Sequence, residues 1–286
     1  MSDNAYVPPP VWKWEKENGG LFSHLNRPVA GATHETELPR GRHPFQLHSL
    51  GSPNGQKVTI MFEELLEAGF TDAEYDAWFV DIMSGVQFGT GFVSINPNSK
   101  IPALLDYSVP NVESEGPIRV FESGAILLYL ADKFGAFIPA DIRGRTECLS
   151  WLFWQMGTAP MIGGGFGHFY MYGEKIEYPI NRYAMETKRI FDVADRRLAE
   201  VPYLAGDQYT IADIAVFGWF GVFHRDEAYG NGASFLEFKS YRNIDRWATE
   251  IGARRAVRRG IRVNRPGEGD VRERHSAADI DAVVKD

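Results

Sequence analysis

The sequence predicts an α/β domain followed by an all-α domain. Three observations carry that expectation. Residues 45–134 run through short apolar stretches and amphipathic helical stretches in the order β-α-β-loop-β-β-α. Gly135 to Pro139 reads as a linker. Every periodic stretch after it has helical spacing. The order within 45–134 is the thioredoxin-like order. The chain then divides into an arm over 1–43, a thioredoxin-like domain over 44–134, an all-α domain over 141–252 and a C-terminal extension over 253–286.

Each element has a local reason. Residues 1–43 are polar and rich in Pro and Gly, and no period persists, so they read as an extended arm. Trp12 and Trp14 argue that this arm docks on its own body or on a second subunit. Phe45 to Leu50 alternates like a strand, and Gly51-Ser52-Pro53-Asn54-Gly55 is a turn cluster. Val58, Met61, Phe62, Leu65 and Leu66 share one helical face that ends near Gly69. A second strand follows over 74–80, completing a βαβ unit, and 81–97 reads as irregular. In the second domain Leu149, Leu152, Phe153 and Met156 mark one helix face. Ile180, Tyr183, Ala184, Thr187, Phe191, Ala194 and Leu198 mark another. Gly163-Gly164-Gly165 should loosen or break a helix. Thr210 to Asp213 is a capping box, with Tyr209 and Ile214 placed as a hydrophobic staple. Residues 241–251 make a last helix, and the Arg-rich, then acidic, stretch beyond it reads as a solvated tail.

Composition narrows the function. With 286 residues the chain can bury a large core. Thirty basic against 38 acidic residues give a net charge of −8, which argues against nucleic acid or an anionic membrane as the main partner. No apolar run is long enough to span a bilayer. The N-terminus, Met1 to Pro10, lacks the basic-then-apolar form of a signal peptide. The single cysteine, Cys148, excludes an intrachain disulfide and points to a reducing cytoplasm. It lies in an apolar helical stretch and reads as a buried structural residue. The seven histidines show no metal spacing, so no metal is expected. Residues 51–57 mimic a phosphate loop but place the second glycine one residue early. The glycines at 163–165 follow a helix rather than a strand, so they are no dinucleotide fingerprint. Ser52 lacks the context of a nucleophile elbow. Trp151, Trp154, Phe166, Phe169 and Tyr170 could line an apolar cleft, although such stripes are more often core.

Two short pieces carry the chemistry. Asn98 to Asp106 delivers Pro102 to the start of a short strand. A cis Ile101–Pro102 bond there would present the Ile101 N–H and C=O to an extended peptide. Val120 to Leu130 turns a strand end into a helix and puts Glu122 and Ser123 in its first turn, where free N–H groups favour an anion. Together they offer pairing for a small peptide and a seat for its carboxylate. Ser52 and Asn54 sit where strand one meets helix one. They read either as an Asx/Ser turn and cap or as groups that would stabilise a thiolate at a helix N-terminus.

These pieces, with Asn26-Arg27-Pro28, residues 52–57, residues 96–102 and the stretch from Gly163 to Tyr170, resemble the bacterial nu-class glutathione transferases. The resemblance covers nearly all residues up to about 265. It implies the glutathione transferase fold, a homodimer, and glutathione-dependent reduction of small disulfides, with two glutathiones or glutathione disulfide in the site. It implies that Gln87, Lys100, Ile101, Pro102, Glu122 and Ser123 hold the first glutathione, and that Asn26 and Arg182 hold the second. Ser52 and Asn54 would face the sulfurs, and Pro53 between them would be a glutathione contact. Without the resemblance, Arg182 is equally readable as a solvent-facing helix residue. Ser52 stands where a relative has Thr, which keeps the hydroxyl. Met156 stands where it has Gln, with Gln155 beside it, which puts one contact of the second site in question. The 45–57 stretch has no cysteine or tyrosine, so the classes that use those residues do not fit. With no protein thiol nearby, the nucleophile must be a glutathione thiolate. The alternatives are a conjugating transferase or peroxidase as the main activity, or a non-catalytic glutathione-binding scaffold.

Overall fold

The computed structural model describes residues 6–284; the first five residues of the arm and the last two of the extension lie outside the described residues. The first domain is a four-stranded sheet, β1 (Phe45–Ser49), β2 (Tyr75–Phe79), β3 (Ala103–Asp106) and β4 (Ile118–Phe121), in the order β2-β1-β3-β4. β1 runs parallel to β2 and antiparallel to β3, which is antiparallel to β4. The period of two divides β3 between two cores. Leu104 joins Phe45 and Leu47 in the main core under helix α1 (Pro53–Glu67), whereas Ala103 and Leu105 face a smaller one.

Phe92 and Ile95 of a short helix, α2 (Thr90–Ile95), cover that smaller core. The irregular stretch expected over 81–97 therefore contains a helix. Its glycines hid the signal: an added Cβ on Gly91 would lie 2.6 Å from the Thr36 carbonyl oxygen, so they admit the arm rather than break the chain. The arm docks along this stretch, with the Arg27 guanidinium over the Phe88 ring and Thr36 N–H donating to Thr90 Oγ1. Trp12 and Trp14, the residues expected to dock it, stay about half exposed.

A one-turn helix α3 (Val112–Glu115) precedes β4, and α4 (Ser123–Phe134) follows it. The helical domain is α5 (Ile142–Pro160), α6 (Glu177–Glu200), α7 (Ile211–His224), α8 (Gly232–Phe235) and α9 (Arg242–Gly252). Thr210 and Asp213 form the expected capping box on α7, and buried Asp213 also accepts from Leu204 N–H and the Trp247 indole. The glycines at 163–165 do not end the helix. The chain widens into a π-helix over Met161–Tyr172, where Gly163 makes room for Trp219 and Gly165 for Tyr183. Phe166 is fully buried and stacked on Tyr170, so the aromatic stripe contributes to core.

The C-terminal extension corrects the expectation of a solvated tail. Its helix α10 (Arg255–Gly260) lies against α1 of the first domain, and Arg259 ties α11 (Ala277–Asp281) to α10 by donating to Asp281 and to the Ala277 carbonyl oxygen. Arg259 Nε donates to Glu63 Oε2 at 2.8 Å, Arg254 grips both oxygens of Glu64, and fully buried Arg274 reaches Glu63 and Glu74. Arg274 and Ala77 exchange two backbone hydrogen bonds, which covers the outer edge of β2. The arginines suggested a solvated surface because their carboxylate partners sit on α1, nearly 200 residues upstream.

Removing one member of a buried, hydrogen-bonded ion pair costs about 3–5 kcal/mol. Arg274→Ala is therefore expected to lower urea-unfolding stability on that scale. A change below about 0.5 kcal/mol, the size expected of a surface tail, would contradict the docked extension.

Candidate active site

A cavity of about 470 Å³ opens where the arm, the first domain and the π-helix meet. Nine of the residues singled out from the sequence line it: Ser52, Asn54, Asn26, Gln87, Lys100, Ile101, Pro102, Glu122 and Ser123. Pro53 does not. It occupies the first position of α1, which needs no N–H donor there, and lines a neighbouring pocket. Arg182 also lies outside the cavity lining; it is about half exposed on α6 and pairs with Glu186 at 3.6 Å.

The turn before α1 sets the floor. Ser52 is the N-cap, and its Oγ accepts from Gly55 N–H at 3.4 Å. Gly51 N–H donates to Asn264 O of the extension at 2.7 Å, and Gln56 Nε2 donates back to Gly51 O at 3.0 Å. An added Cβ on Gly55 would overlap the Leu50 carbonyl oxygen, so only glycine lets the strand end come this close. Asn54 Oδ1 accepts from Lys57 Nζ at 2.8 Å and from Trp219 Nε1 at 2.9 Å. Those two donors occupy the carbonyl end of the amide and leave its NH₂ end for the cavity.

The wall is the loop before β3. The Ile101–Pro102 bond is cis, as expected. Asn96, almost fully buried, ties the loop: its Nδ2 donates to Lys100 O at 2.6 Å and its Oδ1 accepts from Asn98 N–H at 2.9 Å. Across from it, Glu122 is the N-cap of α4 at φ 71°, so it precedes the first helical turn in which it was expected. Ser99, at φ 53°, also lines the cavity. Positive φ outside glycine costs about 1–3 kcal/mol and collects where function demands it. Ser123 opens α4; its Oγ accepts from Lys57 Nζ at 3.3 Å and its proton faces Met156 Sδ at 3.8 Å.

Two buried polar atoms at this wall have no protein partner: Gln87 Oε1 and Ser99 Oγ. Orphaned polar atoms on a cavity lining mark places for a polar ligand. A carboxylate beside a helix N-terminus suits the ammonium and carboxylate of an α-amino acid. The N-terminus of α1 suits a thiolate. Phe22 and Leu25 of the arm, Ile82, Met83 and His168 complete the lining. Among the described residues no group of three His, Cys, Asp or Glu could hold a metal. Cys148 is fully buried in the main core, and burial pushes its thiol pKa up, which keeps it inert.

Sequence reasoning missed Ser99, Asn96, His168 and the arm's Phe22 as site residues, and it gave Lys57 no role. The Asn-Pro-Asn-Ser turn was a usable signal for the first two. For Lys57 the signal was a cation three residues after Asn54, hence on the same helix face.

A thioredoxin-like domain with a cis proline facing a helix N-terminus, closed by an all-α domain, defines the glutathione transferase architecture. Residues 178–250 match the family model for the glutathione S-transferase C-terminal domain. The chain is 56% identical over 290 residues to the disulfide-bond oxidoreductase YghU of Escherichia coli K12, covering 100% of this chain and 99% of that protein. A Streptococcus pneumoniae glutathione transferase YghU, solved in complex with glutathione, is 55% identical with a TM-score of 0.86, covering 90% of this chain and 97% of that one. A Pseudomonas putida glutathione transferase, solved with one glutathione disulfide bound per subunit, is 36% identical with a TM-score of 0.70, covering 79% and 98%. The chain belongs to the glutathione transferase family.

Alanine is favoured over glycine by about 1 kcal/mol inside a helix. At position 55 the overlap with the Leu50 carbonyl should win, so Gly55→Ala is expected to destabilise by about 1–3 kcal/mol in urea unfolding. A stabilised variant would show that the turn under the cavity is looser than described.

Proposed function

We propose that the protein is a glutathione-dependent disulfide-bond oxidoreductase that reduces small disulfides. The observation that carries this reading is the cavity floor. The N-terminus of α1 meets the Ser52 hydroxyl and an Asn54 amide turned outward, with no protein thiol in the lining. A helix N-terminus and neutral donors lower a bound thiol's pKa from about 8.5. The relative named a disulfide-bond oxidoreductase, covered over 99% of its length, supports the same chemistry.

In this reading Glu122 and Ser123 hold the γ-glutamyl end, and the chain beside Ile101 pairs with the cysteinyl backbone. Gln87 and Ser99 offer their orphaned polar atoms to the remaining polar groups. The bound thiolate attacks one sulfur of the substrate disulfide; a sulfur–sulfur bond forms as the old one breaks, and one substrate half leaves as a thiolate that takes up a proton. A second glutathione, near Asn26, attacks the glutathione sulfur of the mixed disulfide. Glutathione disulfide and the second substrate thiol result. Two glutathiones are oxidised for each disulfide reduced. Met156 meets Ser123 rather than a second ligand, and Arg182 joins the second site only if its side chain leaves Glu186.

We also place the protein in a reducing cytoplasm as a homodimer. Half-exposed Trp12 and Trp14 and exposed Phe153 support a partner surface. Among the described residues no helix is long and apolar enough to cross a membrane.

Turnover of 2-hydroxyethyl disulfide with excess glutathione, coupled to glutathione reductase and NADPH, tests the reading. Robust turnover is expected, as is binding of glutathione disulfide in calorimetry. Binding without turnover would favour a scaffold, and turnover of electrophiles alone would favour a conjugating transferase. Asn54→Ala should lower kcat about 10–100-fold at neutral pH with little change in glutathione affinity, a loss of about 1.4–2.7 kcal/mol in the transition state. Ser123→Ala should instead weaken glutathione binding by about tenfold; the reverse pattern would exchange their roles.

A further inference from the structure

We propose that Lys57 is a positioning residue of the thiol site, a buried ammonium that acts through Asn54 and Ser123 to favour an anionic sulfur. The proposal rests on the glutathione reading above. Lys57 is completely buried, which is rare for lysine unless something compensates its charge. Its Nζ lies 2.6 Å from Gln155 Oε1, 2.8 Å from Asn54 Oδ1 and 3.3 Å from Ser123 Oγ. Three acceptors around one nitrogen match the three N–H bonds of an ammonium; a neutral amine has only two. The Ser123 hydroxyl faces its own proton toward Met156, so its oxygen is free to accept.

Among the described residues no carboxylate lies within ion-pair distance of this ammonium, although three neutral oxygens do. Its surroundings are known on each side. Burial pulls the Lys57 pKa well below its ordinary value, and the carboxylate of Glu122, at the N-cap of α4, opposes this at longer range by favouring the charged form that the three acceptors fit. From α5 the facing group is Gln155, and from α7 it is Gly218, where an added Cβ would lie 2.7 Å from Lys57 Cγ. The α10 cation on α1, Arg259, is spent on Glu63 further along the helix. The site therefore holds a positive charge that the protein leaves without a close anion. An anionic ligand sulfur would complete it.

The route is the Asn54 amide. Its carbonyl carries the Lys57 ammonium and the Trp219 indole, which locks the NH₂ end toward the cavity and polarises it. An amide polarised by a cation is a stronger donor to a thiolate than an unassisted one, and the field of the cation acts in the same direction. Lysine is suited to this place because it is a compact point charge, whereas the planar fork of arginine would not fit three convergent oxygens.

The test titrates the thiol of bound glutathione by its ultraviolet thiolate absorbance in the full-length protein. Lys57→Met keeps the stem and removes the charge. Its expected effect is to raise the bound thiol's pKa by about one unit, so that about tenfold less thiolate remains at neutral pH. Disulfide turnover should fall in step and recover toward alkaline pH. Gln155→Glu keeps Lys57 packed but pairs it with a carboxylate, and should raise the thiol pKa in the same direction; it decides the matter if Lys57→Met does not fold. A wild-type thiol pKa that is lowered, with the folded variants titrating like wild type, would overturn the proposal, even if Lys57→Met lost stability. Failure of the wild type to bind glutathione would instead overturn the reading beneath it, and the proposal with it.

Discussion

Helix α1 has no exposed face over three turns. Residues 55 to 65 are all buried, and among them are Gln56, Lys57, Thr59, Glu63 and Glu64. A buried charge without a partner costs several kcal/mol, so each of these groups forces something upon the structure around it. Lys57 draws Gln155, Asn54 and Ser123 together across three helices. Glu63 and Glu64 draw in Arg259, Arg274 and Arg254. One end of the helix thereby builds the ligand cavity, and the other fastens the C-terminal extension.

Buried ion pairs are weak evidence for net stability, since apolar replacements of the same shape often do as well. Their evident effect here is positional. Once fastened, the extension closes the edge of β2 and brings Asn264 O to Gly51 N–H, one residue before Ser52. Thr59 Oγ1 donates to Gly260 O at 2.7 Å, where α10 packs against α1. The turn that carries Ser52 and Asn54 is thus clamped from the far end of the chain, and the Asn54 amide that lines the cavity is clamped from beneath. Such preorganisation is what a site without its own nucleophile has to contribute, because it can only orient a bound thiolate and stabilise it.

Much of this was legible in the sequence because local signals agreed with global ones. The Pro102 loop, the helix start at Ser123 and the Thr210–Asp213 box each read correctly, with Glu122 falling one residue before the turn expected for it, since turn and cap chemistry is local. The docked extension was not legible, because Arg259 and Arg274 find their carboxylates only after the chain has folded back nearly 200 residues. Helix α2 was hidden by glycines that serve the close approach of the arm. Lys57 was overlooked because a single lysine between apolar positions looks like an edge of the helix face until that face proves to extend all round. Arg182 was readable both as a carboxylate clamp and as a solvent-facing helix residue, and in the structure it lies about half exposed on α6 beside Glu186.

The central claim is that the thiol chemistry belongs wholly to the bound glutathione and never passes through the protein's own sulfur. Intact-protein mass spectrometry during steady turnover of a small disulfide tests it most directly. The account predicts an unmodified polypeptide at every time point while glutathione disulfide accumulates. A covalent glutathione or substrate adduct at Cys148, formed and lost at the rate of turnover, would contradict it.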